Sequence, residues 1–217
     1  MAETAARTML AHSAYHAILE FIRDGVYAPG EPIREEEVAK RLGMSRTPVR
    51  EAMGRLQEKG LLQAAQGRGL AVSTLSMEQL FELYAMRGEL EALVARFAAQ
   101  HATSYEIANL RNLNEQFAIS QLAREAARRN RSFHAALYDA ARNRYLRAAV
   151  EDLHETIALL PTTTFTDQAR LPKAVEEHVA LIEAIAARNA DVAAELARRH
   201  IAESLTVRLK LIHDRSK

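Results

Sequence analysis

The chain has 217 residues, no cysteine and a formal net charge of +1 at pH 7. That length accommodates a module of about 70 residues plus a second domain of ordinary size, and the missing cysteines exclude a disulfide framework and thiolate metal sites. No apolar run is long enough to span a bilayer and Met1-Ala2-Glu3 begins no signal-peptide pattern, so a soluble cytoplasmic protein is expected.

The clearest local signals run from Glu35 to Ser73. EEEVAKRLG reads as a short helix, SRTPVREAMGRLQEKG as a second, basic helix, and LLQAAQGRGLAVS as a hairpin. Helix, turn, helix and hairpin in that order is what a winged helix-turn-helix needs to put one helix into the DNA major groove. Gly43 is expected to close the first helix in a left-handed conformation, and Ser45 to cap the second with its hydroxyl. Pro48 falls in the first turn, where its missing N–H is tolerated, and Gly60 marks the stop.

On the second helix, Arg46, Thr47 and Arg50 lie in the turns that meet base edges when a recognition helix docks. Arginine there can fork onto guanine O6 and N7, while Ser45 and Thr47 can bond phosphate or pack on a thymine methyl. Lys40, Arg41, Arg55 and Lys59 suit phosphate contacts. Between Lys40 and Lys59 six basic residues stand against two acidic ones (Glu51, Glu58), a local +4 in a nearly neutral chain. Such a patch points to double-stranded DNA as the partner. The bland reading is a solvated helix whose arginines pair with neighbouring glutamates. In the hairpin, Leu61-Leu62-Gln63 and Leu70-Ala71-Val72 can pair, leaving Arg68 at the tip beside Gly69 to reach a phosphate or the minor groove.

The first domain is therefore placed at 1–75 and the second at 76–217. From Ser76 onward a helical period holds almost throughout, predicting helices near 76–101, 104–119, 121–141, 144–159, 172–188 and 190–213, with one long loop from Thr162 to Arg170. The expected fold is mainly α: a winged helix-turn-helix followed by an all-α bundle. On the first bundle helix Arg87 and Glu91 interrupt the stripe Leu80, Leu83, Tyr84, Leu90, Val94 and Phe97. A charge on a buried face must be paired or meet a ligand, so Arg87 is either bonded to Glu91 or a binder of an anionic small molecule. His134 shares a face with Asn130, Leu137 and Ala141; His178 with Val175, Ile182 and Ile185; His200 with Leu196, Val207 and Leu211. Three inward histidines on three helices are either satisfied core residues or ligands converging on one metal ion. A hydrolytic site is a further alternative, but no acidic residue is placed as a general base, since Glu177 should point away from neighbouring His178.

SRTPVREAM, followed by LQEKGLL and GRG, resembles the N-terminal domain of GntR-family transcriptional regulators over about residues 10–75. The resemblance implies that Arg46, Thr47, Arg50 and Gly69 are DNA-contacting or wing positions, with Arg34 close to a further contact. The run Glu35-Glu36-Glu37 departs from relatives that place an arginine there. YAMRGELEALVARFAA, NRSFHAALYDAARNRYL and EEHVALIEAIAARNADVAAELARRHI are similar to the FCD-type ligand-binding domain of the FadR-like subgroup. That similarity implies a divalent transition metal held by an acidic residue four positions before the first histidine and by three histidines. His134, His178 and His200 match, and Asn130 stands where the acid would be. Three neutral imidazoles favour zinc or nickel. The implied protein is a homodimer on an inverted-repeat operator, commonly a repressor, answering to a small organic acid bound by the metal and Arg87. In a metal-free variant of the same design the pocket would take an acyl or apolar ligand.

Overall fold

The computed structural model describes the chain except residues 66–68, 161 and 216–217 and the side chains of residues 2–6 and 215, so Arg68 lies outside the described residues. The chain divides into two compact units, one comprising Met1–Ser76 with His154–Thr162 and the other Met77–Leu153 with Thr163–Lys217.

The first unit contains helix α1 (Ala2–Arg23), strand β1 (Pro32–Ile33), helices α2 (Glu35–Leu42) and α3 (Arg46–Glu58), and strands β2 (Leu62–Ala64) and β3 (Leu70–Val72). Gly43 ends α2 at φ 62° and ψ 31°, the left-handed geometry that a residue without Cβ adopts freely, and Met44 N–H then donates to Ala39 O at 3.0 Å. This tight stop turns the chain into α3 within three residues. Ser45 does occupy the N-cap with extended backbone, but its hydroxyl makes no capping hydrogen bond. A serine cap bonds the N–H of the second or third helical residue; the third is Pro48, which has none, so only Thr47 N–H is left to serve. The hydroxyl is left on the exposed surface beside Arg46 and Thr47.

The hairpin pairs antiparallel with Leu62 opposite Val72, Gln63 opposite Ala71 and Ala64 opposite Leu70. A third strand, not expected from the sequence, joins them: β1 pairs with β3 through Pro32 opposite Ala71 and Ile33 opposite Leu70, giving the order β1-β3-β2. Ile18, Leu19, Val49, Leu56, Leu61 and Leu62 form the core under the sheet. Burying each aliphatic side chain of that size stabilises by about 1.5–3 kcal/mol. Ala158 and Leu159, assigned by the sequence reading to the C-terminal bundle, are buried in this same cluster. Tyr15 Oη donates to Glu155 Oε2 at 2.5 Å and Lys59 Nζ to the same oxygen at 2.7 Å. Periodicity along one helix could not reveal that this segment shares a core with residues more than a hundred positions earlier.

The second unit holds α4 (Met77–His101), α5 (Ser104–Ala118), α6 (Ala123–Ala140), most of α7 (Arg144–Thr156), α8 (Arg170–Ala186) and α9 (Ala190–Arg215). The two long helices α4 and α9 pack along each other, and α8 packs against both α5 and α9. Phe133, Leu137, Leu181, Ile182, Ile185 and Ala197 lie at the centre of the core. The expected loop from Thr162 to Arg170 is shorter than predicted, because Thr164–Thr166 forms a 3-10 turn and Arg170 already begins α8. Helix α5 starts with a reciprocal capping box, in which Glu106 N–H donates to Thr103 Oγ1 at 3.2 Å and Thr103 N–H to Glu106 Oε2 at 2.6 Å. Thr103→Ala is expected to cost about 1 kcal/mol. A thermal melt should then show Tm lower by about 2–4 °C.

Candidate functional site

Two constellations concentrate chemistry, one in each unit. In the first unit an open groove of about 600 Å³ is lined by Arg34, Glu35, Arg46, Arg50, Gly69 and Leu70 among others. Four of the residues singled out from sequence therefore share one concavity between the start of α3 and the hairpin. Gly69 enters β3 at φ 104°, a backbone angle that side chains resist. Ser45 and Thr47 stand exposed at the first turn of α3.

Among the described residues neither Arg50 nor Arg55 pairs with Glu51 or Glu58, the neighbours considered from sequence; Arg55 lies over the Tyr15 ring, 5.2 Å from its centroid. Arg50 instead grips Glu35 at the start of α2, with Nε 3.0 Å from Oε1 and Nη2 3.0 Å from Oε2. Arg46 Nη1 donates to Glu36 Oε1 at 2.8 Å, and its Nη2 lies 3.5 Å from Glu35 Oε2. Of the expected phosphate binders, Lys59 is turned to Glu155 and Arg41 lies 3.5 Å from Glu37.

In the second unit α6, α8 and α9 bring His134, His178 and His200 together, with relative exposures of 2%, 0% and 7%. A ligating atom from each lies within 4.8 Å of the others, so the three could hold one metal ion. Their partners decide which nitrogen is free. Asn114 Nδ2 donates to Val175 O at 3.2 Å, so its Oδ1 is the acceptor 3.0 Å from His178 Nδ1. The proton of His178 thus sits on Nδ1, and Nε2, buried and without a hydrogen-bond partner, keeps its lone pair. His200 is oriented likewise: Nδ1 lies 2.7 Å from Glu177 Oε2, and Arg170 Nη1 donates to that same oxygen at 2.8 Å. His134 Nδ1 lies 3.4 Å from Glu91 Oε2. Phe133 stacks on His178 with ring centroids 4.0 Å apart, fixing the ring plane.

Burial drives His178 and His200 toward neutrality. Desolvation, reinforced by His200 and His134, holds His178 well below its ordinary value. Desolvation likewise lowers His200 to about 4, although Glu177 opposes it. Neutral imidazole is the form that ligates a metal. Asn130 lies one turn before His134, and its Oδ1 is buried without a hydrogen-bond partner. Unsatisfied buried acceptors are uncommon in native interiors. A donor set of three imidazoles suits a first-row transition ion.

Arg87 is buried at 6% exposure, with Nη2 3.7 Å from Glu91 Oε1 and its guanidinium over the Tyr84 ring at 5.1 Å. The i,i+4 pairing considered from sequence is present, and Glu91 also accepts from Tyr138 Oη at 2.6 Å. A cleft of about 200 Å³ beside α8 and α9 reaches Glu177 and His200 and is lined further by Lys173, Arg199 and Glu203; it does not reach Arg87. Asn114 and Glu177 were missed as site residues. Glu177 does point off the His178 face, as the helical angle dictates, but toward His200 on α9.

A three-helix head with a two-stranded wing, its basic helix exposed, joined to an all-helical unit, defines a winged-helix DNA-binding protein with a helical second domain. The model of the bacterial regulatory proteins of the gntR family matches residues 10–72, and that of the FCD domain matches residues 82–203. The chain belongs to the GntR family and is a DNA-binding transcriptional regulator, not an enzyme. It is 33% identical over 188 residues to the Nta operon transcriptional regulator of Aminobacter aminovorans, covering 86% of this chain and 88% of that one. It is 29% identical over 212 residues to the galactonate operon transcriptional repressor of Escherichia coli, covering 87% and 91%. The solved structure of E. coli McbR/YncC shares the fold, with a TM-score of 0.85 at 24% identity over 94% of this chain and 98% of that one. No described helix is long and apolar enough to cross a membrane.

Proposed function

We propose that this regulator is a cytoplasmic homodimeric repressor of the FadR-like kind, with residues 1–75 reading an inverted-repeat operator and residues 76–217 binding effector and the second subunit. Arg46, Thr47 and Arg50 meet base edges, with Arg34, Ser45 and the wing at Gly69 on the flanking backbone. Twofold symmetry of the protein then maps onto twofold symmetry of the site.

The single observation that supports a metal-dependent sensor is the convergent trio: imidazoles on three helices, with Nδ1 of His178 and of His200 hydrogen-bonded to Asn114 and Glu177 and Nδ1 of His134 at 3.4 Å from Glu91 Oε2. Residues that engage the far nitrogen of a ligating histidine fix its tautomer and orientation. His134, His178, His200 and the Asn130 amide oxygen would hold a divalent transition ion, zinc or nickel. Such an ion supplies a Lewis-acidic point for the oxygens of a small organic acid. Arg87 adds positive charge within the same network, two contacts from His134 through Glu91. That one relative regulates a galactonate operon accords with an organic-acid effector. Ligand that binds one arrangement of the dimer better than the other shifts operator occupancy by that difference in affinity.

The test is elemental analysis of purified protein, followed by calorimetric titration with zinc and nickel. About one ion per chain is expected, with carboxylates binding only to the loaded protein. No ion after incubation and desalting overturns the metal reading. Asn114→Leu, which removes the acceptor of His178 Nδ1–H at similar volume, should weaken metal binding by about 10–100-fold in the same titration. Unchanged affinity would show that the Asn114 contact does not orient the ligand.

A further inference from the structure

Glu35 lies on α2 and makes no sequence-local contact with the arginines it engages, which are 11 and 15 residues further along. Its carboxylate is bonded by both Nε and Nη2 of Arg50 and approached by Nη2 of Arg46. Side chains meeting in this paired geometry hold each other in place as well as attracting. The Arg50 hydrogen bonds, the largest influence, hold the Glu35 carboxyl below its ordinary value, so it is charged wherever the protein works.

The geometry has an asymmetric effect on the two things Arg50 can meet in a groove. The carboxylate occupies the Nε edge and part of Nη2, leaving both Nη1 hydrogens and another on Nη2 as donors. A guanine edge, neutral overall, needs only two such donors, for O6 and N7. A phosphate needs the positive charge, which Glu35 already neutralises, and it is repelled by the carboxylate itself. We infer that Glu35 is a specificity-determining residue: it leaves Arg50 and Arg46 able to donate to bases while suppressing their attraction for phosphate on unrelated DNA. This rests on the proposed base-reading role of those arginines.

The experiment compares full-length wild type, Glu35→Gln and Glu58→Gln on two duplexes: one of random sequence, and one selected by the wild-type protein from a random pool. Glu58→Gln removes the same charge from the far end of α3 and controls for net charge alone. Glu35→Gln is expected to bind random duplex about tenfold more tightly at 0.15 M salt, with a steeper salt dependence by roughly one power per freed guanidinium. Affinity for the selected duplex should change little, so the ratio of the two should fall about tenfold, while Glu58→Gln leaves it near the wild-type value. An unchanged ratio in Glu35→Gln, or an equal fall in both variants, overturns the inference. A thermal melt of Glu35→Gln matching wild type confirms that the head remains folded. If Arg50→Ala retains full affinity for the selected duplex, the underlying base-reading role is what has failed; if Arg50→Ala loses affinity and the Glu35→Gln ratio holds, only the inference has.

Discussion

Arg50→Ala should bind a wild-type-selected operator at least ~30-fold more weakly, measured by fluorescence anisotropy at fixed salt. A bidentate arginine–guanine contact is worth about 1–3 kcal/mol, and two heads on an inverted repeat double it. The truncation also uncovers Glu35, whose remaining arginine contact is the 3.5 Å approach of Arg46. A carboxylate then faces the groove without its main counter-charge, so the measured loss exceeds the worth of the base contact itself. Binding of zinc or nickel by the same variant should be unchanged, because Arg50 is exposed in the first unit and the histidine trio is buried in the second. Loss of operator binding no greater than that of an exposed lysine-to-alanine change would remove Arg50 from the reading set.

His178→Ala should produce the opposite pattern. Removing one of three imidazoles takes away a direct ligand, and the fall in metal affinity should exceed the 10–100-fold typical of residues that merely orient ligands. Titration with zinc or nickel measures it, and the effector response should disappear with it. Affinity for the operator in the absence of effector should stay within a few-fold of wild type. The side chain is fully buried between Phe133 and Phe117, so the substitution also leaves a void that lowers stability. His178→Gln keeps most of that volume; it too must lose the ion if Nε2 ligates. Normal metal binding in both variants would sink the assignment.

What sequence made legible follows the range of the interactions. The turn at Gly43, the end of α3 near Gly60, the presence of the hairpin and the inward faces of three histidines are local matters of capping, backbone conformation and period, and they could be read from neighbouring residues; the register could not, since the first hairpin strand is Leu62–Ala64, one residue later than the expected Leu61-Leu62-Gln63. The two-residue strand β1 has no period to detect. Ser45 stands at the expected cap but makes no capping bond, and the proline three residues on, also present in sequence, removes one of the two N–H groups such a bond could use. The partners that give the sites their chemistry are distant: Glu35 with Arg50 across a helix-turn-helix, Asn114 with His178 64 positions away, Glu177 with His200 on the next helix. Side-chain charge and hydrogen bonding carry no sequence signature of their partner when the spacing exceeds a helical turn. Arg68, expected at the wing tip, lies outside the described residues.

The assignment of His154–Thr162 to the first unit bears on how such regulators can be recombined. The chain changes unit after Ser76, after Leu153 and again after Thr162, so the head is built from two stretches of sequence with most of the helical unit inserted between them. A cut at the junction near residue 76 separates the sequence but not the cores. A head transplanted on residues 1–76 alone leaves behind Ala158 and Leu159 and the carboxylate of Glu155 that meets Tyr15 and Lys59. Chimaeras that pair this reading head with a foreign sensor would have to carry the second stretch with it, or repair the apolar surface exposed where it had been.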